Sequence, residues 1–120
     1  MKNVFASILL AFLLGAGTVA QAGPGDGSRI TARATELTRR MAERTRMSEG
    51  QYVKVKQLNI RLLTEMATLR KQFATDPASL DQALADVQMR YEWDLASILW
   101  PKQLAAYEDV KMNFTAANVR

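Results

Sequence analysis

From residue 28 onward the apolar residues recur at helical spacing, and two prolines, Pro77 and Pro101, cut that pattern. Proline has no N–H to donate and disfavours helix at the residue before it, so each marks the end of one helix and the start of the next. No alternating β-branched run and no Asn-Gly or Asp-Gly hairpin competes with this reading. The chain is therefore expected to be all-α: a small, elongated, four-helix hairpin protein. The first helix is predicted over 28–46, with Ile30, Ala34, Leu37 and Met41 on one stripe and Arg33, Arg40 and Arg44 on another. The second is predicted over 48–75, with Tyr52, Val55, Leu62, Met66, Leu69 and Phe73 on its main face and Leu58 and Leu63 widening it. Asn59 interrupts that face and reads as a polar residue setting register at a helix seam. The third helix begins near Asp76-Pro77 or at Ser79 and ends at Ile98, with Leu80, Leu84, Val87, Tyr91 and Ile98 as its stripe. The fourth runs from Pro101 to Phe114 on Leu104, Tyr107 and Val110.

The first 22 residues stand apart. Lys2, the apolar run from Val4 to Leu14 and the small residues of Ala20-Gln21-Ala22 have the three-part layout of a secretory signal peptide. Cleavage is expected after Ala22, with residues 23–27 a Gly- and Pro-containing linker and 28–120 the helical domain. The apolar run is too short for a membrane span. An exported chain without cysteine must be held together by packing alone. With no Cys and no His, the thiol nucleophile, the thiolate metal site and the usual neutral-pH base are all absent. No glycine-rich phosphate loop replaces them, so neither enzyme activity nor a metal or other cofactor is expected. The net charge of +4 is too small to indicate nucleic acid.

Two segments share one design. In Met47-Ser48-Glu49-Gly50-Gln51, Ser48 can cap a helix through the Gln51 N–H while Gln51 reaches back to the Ser48 N–H, a capping box. Leu99-Trp100-Pro101-Lys102-Gln103 repeats the apolar lead and the trailing Gln, but the Trp100 indole has no acceptor with which to cap. Met47 with Tyr52, and Leu99 with Leu104, sit where hydrophobic staples would clamp each start. Met89, Trp93 and Trp100 read as apolar residues beside the Val87/Tyr91 stripe, either a dimer seam or a contact surface for varied partners. Arg33, Arg40 and Arg44 read as either a solvated helix face or a basic contact surface. Val53 and Ile60 lie off the main face of the long second helix, which points to a homodimer.

On these residues the chain resembles the Spy/CpxP group of periplasmic proteins, which carry two LTxxQ motifs in a small, secreted, all-helical chain. Met47, Ser48 and Gln51 fit the first copy with Met in place of its Leu and Ser in place of its Thr, and Leu99 and Gln103 match the second, with Trp100 in place of its Thr. The resemblance covers residues 28–114. It implies a thin, curved, dimeric protein of the periplasm that shields unfolded or partly folded envelope proteins without ATP. On that reading the clients meet Arg33, Arg40, Arg44, Met89, Trp93 and Trp100. Some relatives instead bind an envelope-stress sensor protein, which is the alternative function. Others bind metals through His, Met or Cys clusters, which this chain lacks.

Overall fold

The computed structural model describes residues 24–114, with the side chains of 27–112. The expected signal peptide with its expected cleavage point, and residues 115–120, lie outside the described residues. Among the described residues four helices follow one another: α1 (Pro24–Thr45), α2 (Glu49–Gln72), α3 (Pro77–Ile98) and α4 (Pro101–Phe114). The protein is all-α and elongated. Among the described residues no helix is long and apolar enough to cross a membrane.

Local chemistry sets each boundary. The expected linker is instead the first turn of α1, which starts at Pro24. Proline is well suited there because the N–H it lacks would have no intrahelical partner. Arg46 ends α1 at a positive φ of 55°, and its N–H donates to Ala42 O at 2.8 Å. Ser48 then caps α2: its Oγ accepts from Gln51 N at 3.2 Å, and Gln51 Oε1 accepts from Ser48 N at 2.9 Å. The capping box read from the sequence is thus complete. Ser48→Ala is expected to cost about 1 kcal/mol, read as a lower midpoint in urea with an unchanged slope. An unchanged midpoint would show that the cap does not matter. α2 closes at Gln72, three residues early, with the Phe73 N–H donating to Leu69 O. Asp76 caps α3 by accepting from Ser79 N at 3.2 Å with Pro77 in the first turn, so Ser79 serves Asp76 and does not start the helix itself.

α2 packs against α1 along one side and α3 along another, and α4 returns to pack on α1. The core takes Ala34, Leu37 and Met41 from α1, and Val55, Leu58, Leu62, Leu63 and Met66 from α2. Val87, Tyr91 and Leu95 come from α3, Leu99 from the following corner, and Tyr107 from α4. Ile30 and Ile60 are half-buried against that core, so Ile60 is partly covered within one chain, while Val53 stays exposed.

Across the centre runs a buried polar chain. Asn59 Nδ2 donates to Thr38 Oγ1 at 2.9 Å, and the Tyr91 hydroxyl donates to Asn59 Oδ1 at 2.6 Å. The Thr38 hydroxyl itself donates to Ala34 O at 2.6 Å. The Met41 sulfur lies 3.6 Å from Asn59 Nδ2 and 3.5 Å from the Tyr91 oxygen. Asn59 therefore ties α1, α2 and α3 together at one level, as a register-setting residue would. Every buried side-chain N or O among the described residues has a partner, as burial of polar groups requires.

Burial raises the phenol pKa of Tyr91 well above its usual value, and that of Tyr107 also. Below pH 10 both phenols are neutral whether the chain is folded or not, so their stabilising effect is fully present there. As pH rises past 10 the unfolded chain loses its phenolic protons first and folding is penalised. Melting temperature is expected to be level between pH 8 and 9.5 and to fall steeply above pH 10, as thermal circular dichroism at each pH would show. A level profile through pH 11 would contradict this.

Candidate functional site: the paired corners and the outer face of α3

The two motif corners meet. Gln51 Nε2 donates to Gln103 Oε1 at 2.7 Å, and Gln103 Nε2 donates to Gln51 Oε1 at 2.9 Å. Each amide also reaches the chain just ahead of the other's helix: Gln51 Nε2 to Ile98 O at 3.1 Å, Gln103 Nε2 to Arg46 O at 3.2 Å. Each carbonyl oxygen, in turn, accepts from the backbone N–H that precedes its own helix, Ser48 at 2.9 Å and Trp100 at 2.9 Å. Positions 46, 48 and 51 thus have their counterparts at 98, 100 and 103, and the clasp has a local two-fold pattern. Trp100 starts α4 through its backbone only, as the missing indole acceptor requires. Gln103 is buried and Gln51 half-buried.

Spacing in the sequence revealed each Gln as a helix-start residue. It did not reveal that the two bind each other, because that contact joins residues 52 positions apart. The signal was present in the equal spacing of the two copies, which allows the same atoms to face across a two-fold.

The proposed contact residues fall in two places. Met89 is 49% exposed and Trp93 70% exposed, one helical turn apart on α3. The sequence reading sets them beside the Val87/Tyr91 stripe. In the structure they lie on the far side of α3, because a step of two residues is about 200° of helix rotation. Trp100, also 70% exposed, follows at the corner beyond α3. α3 therefore carries one apolar face into the core and leaves large apolar side chains on the other.

Arg33, Arg40 and Arg44 are exposed on α1. Arg40 Nε donates to Glu36 at 3.1 Å, and Glu36 also takes both Nε and Nη2 of Arg39. Those hydrogen bonds lower the Glu36 pKa to about 2. Arg33 lines the groove between α1 and α2 with Arg29 and Lys71. The arginines therefore lie on α1 and the apolar residues on the side of α3 turned from the core, and both helices pack against α2.

On the remaining face of the α2–α3 hairpin, ion pairs cross the groove: Arg61 with Asp94, and Arg90 with Glu65. Glu92 and Asp94, two carboxylates close in sequence, are thereby split, Glu92 pairing with Lys111 at 3.8 Å. Among the described residues no group of three or more His, Cys, Asp or Glu side chains is gathered for a metal ion. Among known proteins, no family model, no curated sequence and no solved structure matches this chain.

Proposed function

We propose that this is an exported, non-enzymatic holding protein of the Spy/CpxP kind. It binds unfolded or partly folded envelope proteins in the periplasm without ATP and limits their aggregation. One observation carries the reading: the side of α3 turned from the core presents Met89 and Trp93, and Trp100 follows at its end, all about half or more exposed. Large apolar side chains left in water on a folded chain mark an interaction surface. Methionine and tryptophan together suit loose, adaptable contact with many sequences. The clasped LTxxQ-like corners and the all-α architecture support the family resemblance. Arg33, Arg40 and Arg44, on α1, would contribute long-range attraction to encounter. A homodimer is part of this proposal, with exposed Val53 as one residue it would cover.

The test is aggregation of several unrelated unfolded proteins with and without the chain from residue 23. Suppression of most of them is expected. The variant with Met89, Trp93 and Trp100 all changed to Ser should suppress at least tenfold less at equal concentration, with its circular dichroism unchanged. Faster client release in that variant is expected, since apolar contacts mostly set dissociation. No effect on any client, together with tight binding to one sensor domain, would replace this reading with the regulatory one. Sedimentation of the same variant separates the two uses of α3: loss of a dimer with full suppression would make this face the seam.

A further inference from the structure

We propose that the α1–α2 groove is a seat for the phosphate headgroups of anionic phospholipid, laying this edge of the protein on a membrane surface. Arg29 and Arg33 stand one turn apart on α1, and Lys71 faces them from the last turn of α2. Ile30 and Ala67 lie between them. Among the described residues, none of these three cations has a carboxylate within 4.0 Å. Elsewhere Arg39 and Arg40 pair with Glu36 and Glu43, Arg61 and Arg90 with Asp94 and Glu65, and Lys111 with Glu108 and Glu92. Other cations such as Lys54, Arg70 and Lys102 also lack a carboxylate partner, so what sets this groove apart is that three such charges line one cleft. Three uncompensated charges around one groove exceed what a single carboxylate needs.

Guanidinium forks bind phosphate oxygens in pairs, and a lysine adds a point charge. The row continues along α1 to Arg44, exposed and also without a carboxylate partner. Arg29 to Arg44 spans about 22 Å of straight helix, which matches a flat array of fixed negative charge better than a folded or extended acidic chain. The apolar pair inside the groove can rest against the glycerol and upper acyl region, as on interfacial helices. The groove residues come from α1 and α2, whereas Met89 and Trp93 stand on the side of α3 turned from the core, so the two surfaces share no residue. The proposal does not depend on the client reading.

The experiment measures partition of the chain from residue 23, whose helices share one core, onto phosphatidylcholine vesicles with and without phosphatidylglycerol. Binding that requires phosphatidylglycerol and weakens in 1 M salt is expected. Changing Arg29, Arg33 and Lys71 together to Gln should lower the partition coefficient by roughly a hundredfold, given about 1 kcal/mol per basic residue near an anionic surface. A control with Lys54, Arg90 and Lys102 changed to Gln removes the same charge elsewhere and should stay within about threefold of the parent. Circular dichroism checks that both variants fold. Equal loss in the control would overturn the proposal, as would equal binding to neutral vesicles or none to either. Binding of polyglutamate through the same three residues, with no binding to vesicles, would also overturn it and name an acidic polypeptide instead.

Discussion

Replacing Gln103 with Ala is expected to lower the melting temperature by roughly 10–20 °C, among the largest losses available to a single substitution in this chain. The change removes four hydrogen bonds at once: the Trp100 N–H loses its acceptor, Arg46 O loses its donor, and Gln51 loses both partners on the facing amide. Each is worth about 1 kcal/mol net, and a half-buried group left unpaired costs more, so about 2–4 kcal/mol is reasonable. In a domain of this size 1 kcal/mol moves the midpoint by about 4–8 °C. Gln51→Ala should lose a similar amount, because it also breaks the capping box of α2. The double variant should lose less than the two singles together, by about 1–2 kcal/mol, since the two amides share two of the bonds removed. Gln103→Glu is the discriminating change. It keeps an oxygen for the Trp100 N–H but turns the two donated bonds into repulsions against Arg46 O and Gln51 Oε1, so it should be no better than Ala. Additive losses, or a stable Glu variant, would show that the reciprocal pairing contributes nothing.

The clasp also bears on the surface proposed for clients. Gln103 holds the Trp100 backbone at the start of α4, and the Trp100 side chain stands exposed from that point. The same amide ties this corner to Arg46, whose positive φ costs a non-glycine residue about 1–2 kcal/mol and which the surrounding contacts must hold. A structural role for the motifs therefore extends to placing an exposed tryptophan, without either glutamine touching a partner. Loss of client binding on changing Gln103 would need the folded fraction measured alongside it.

How much of this was legible in the sequence follows the range of each interaction. The helix starts at Glu49, Pro77 and Pro101 and the end at Ile98 were readable, because caps and prolines act within three or four residues. The stripe Ala34, Leu37, Met41 was readable for the same reason and is fully buried. The start at Pro24 was missed because three glycines suggested a linker, whereas proline at a first helical position had the stronger say. Leu95 went unread although it lies one turn beyond Tyr91 and is fully buried; the intervening Glu92, Trp93 and Asp94 obscured the face. Asn59 was legible as a seam residue, but its partners Thr38 and Tyr91 were not, since nothing local says which polar groups two other helices bring to it. For the site, exposure of Met89 and Trp93 was open in the sequence, because apolar residues off a stripe can be covered by a neighbouring helix or by none. That Arg33 shares a groove with Arg29 and Lys71 could not be read at all, because it depends on how α1 lies against α2.

Asn59→Asp should destabilise the protein by about 3–5 kcal/mol at neutral pH and should recover stability as pH falls. The side chain is fully buried, its amide donates toward Thr38 and Met41, and its oxygen accepts from Tyr91. An Asp there keeps the acceptor for Tyr91 but turns a second oxygen toward the Thr38 oxygen and the Met41 sulfur. No cation is in that contact set, so the carboxylate is buried without a counter-charge, a cost of several kcal/mol. Burial raises the pKa of such a carboxyl in the folded state above its unfolded value near 4. Stability is then fully present below the unfolded value and is lost as pH rises through the folded one. The variant should therefore gain several degrees of melting temperature between pH 7 and 5, a range over which the parent is expected to be level. Asn59→Leu tests the same network without charge. It should cost about 2–3 kcal/mol, mainly by leaving the Tyr91 hydroxyl with only a sulfur for company, and adding Tyr91→Phe should restore part of that loss, because removing both partners is cheaper than orphaning one. A parent-like stability for Asn59→Asp at pH 7, or a Leu/Phe pair no better than Leu alone, would mean that water reaches this chain of groups and that the three helices are aligned by packing alone.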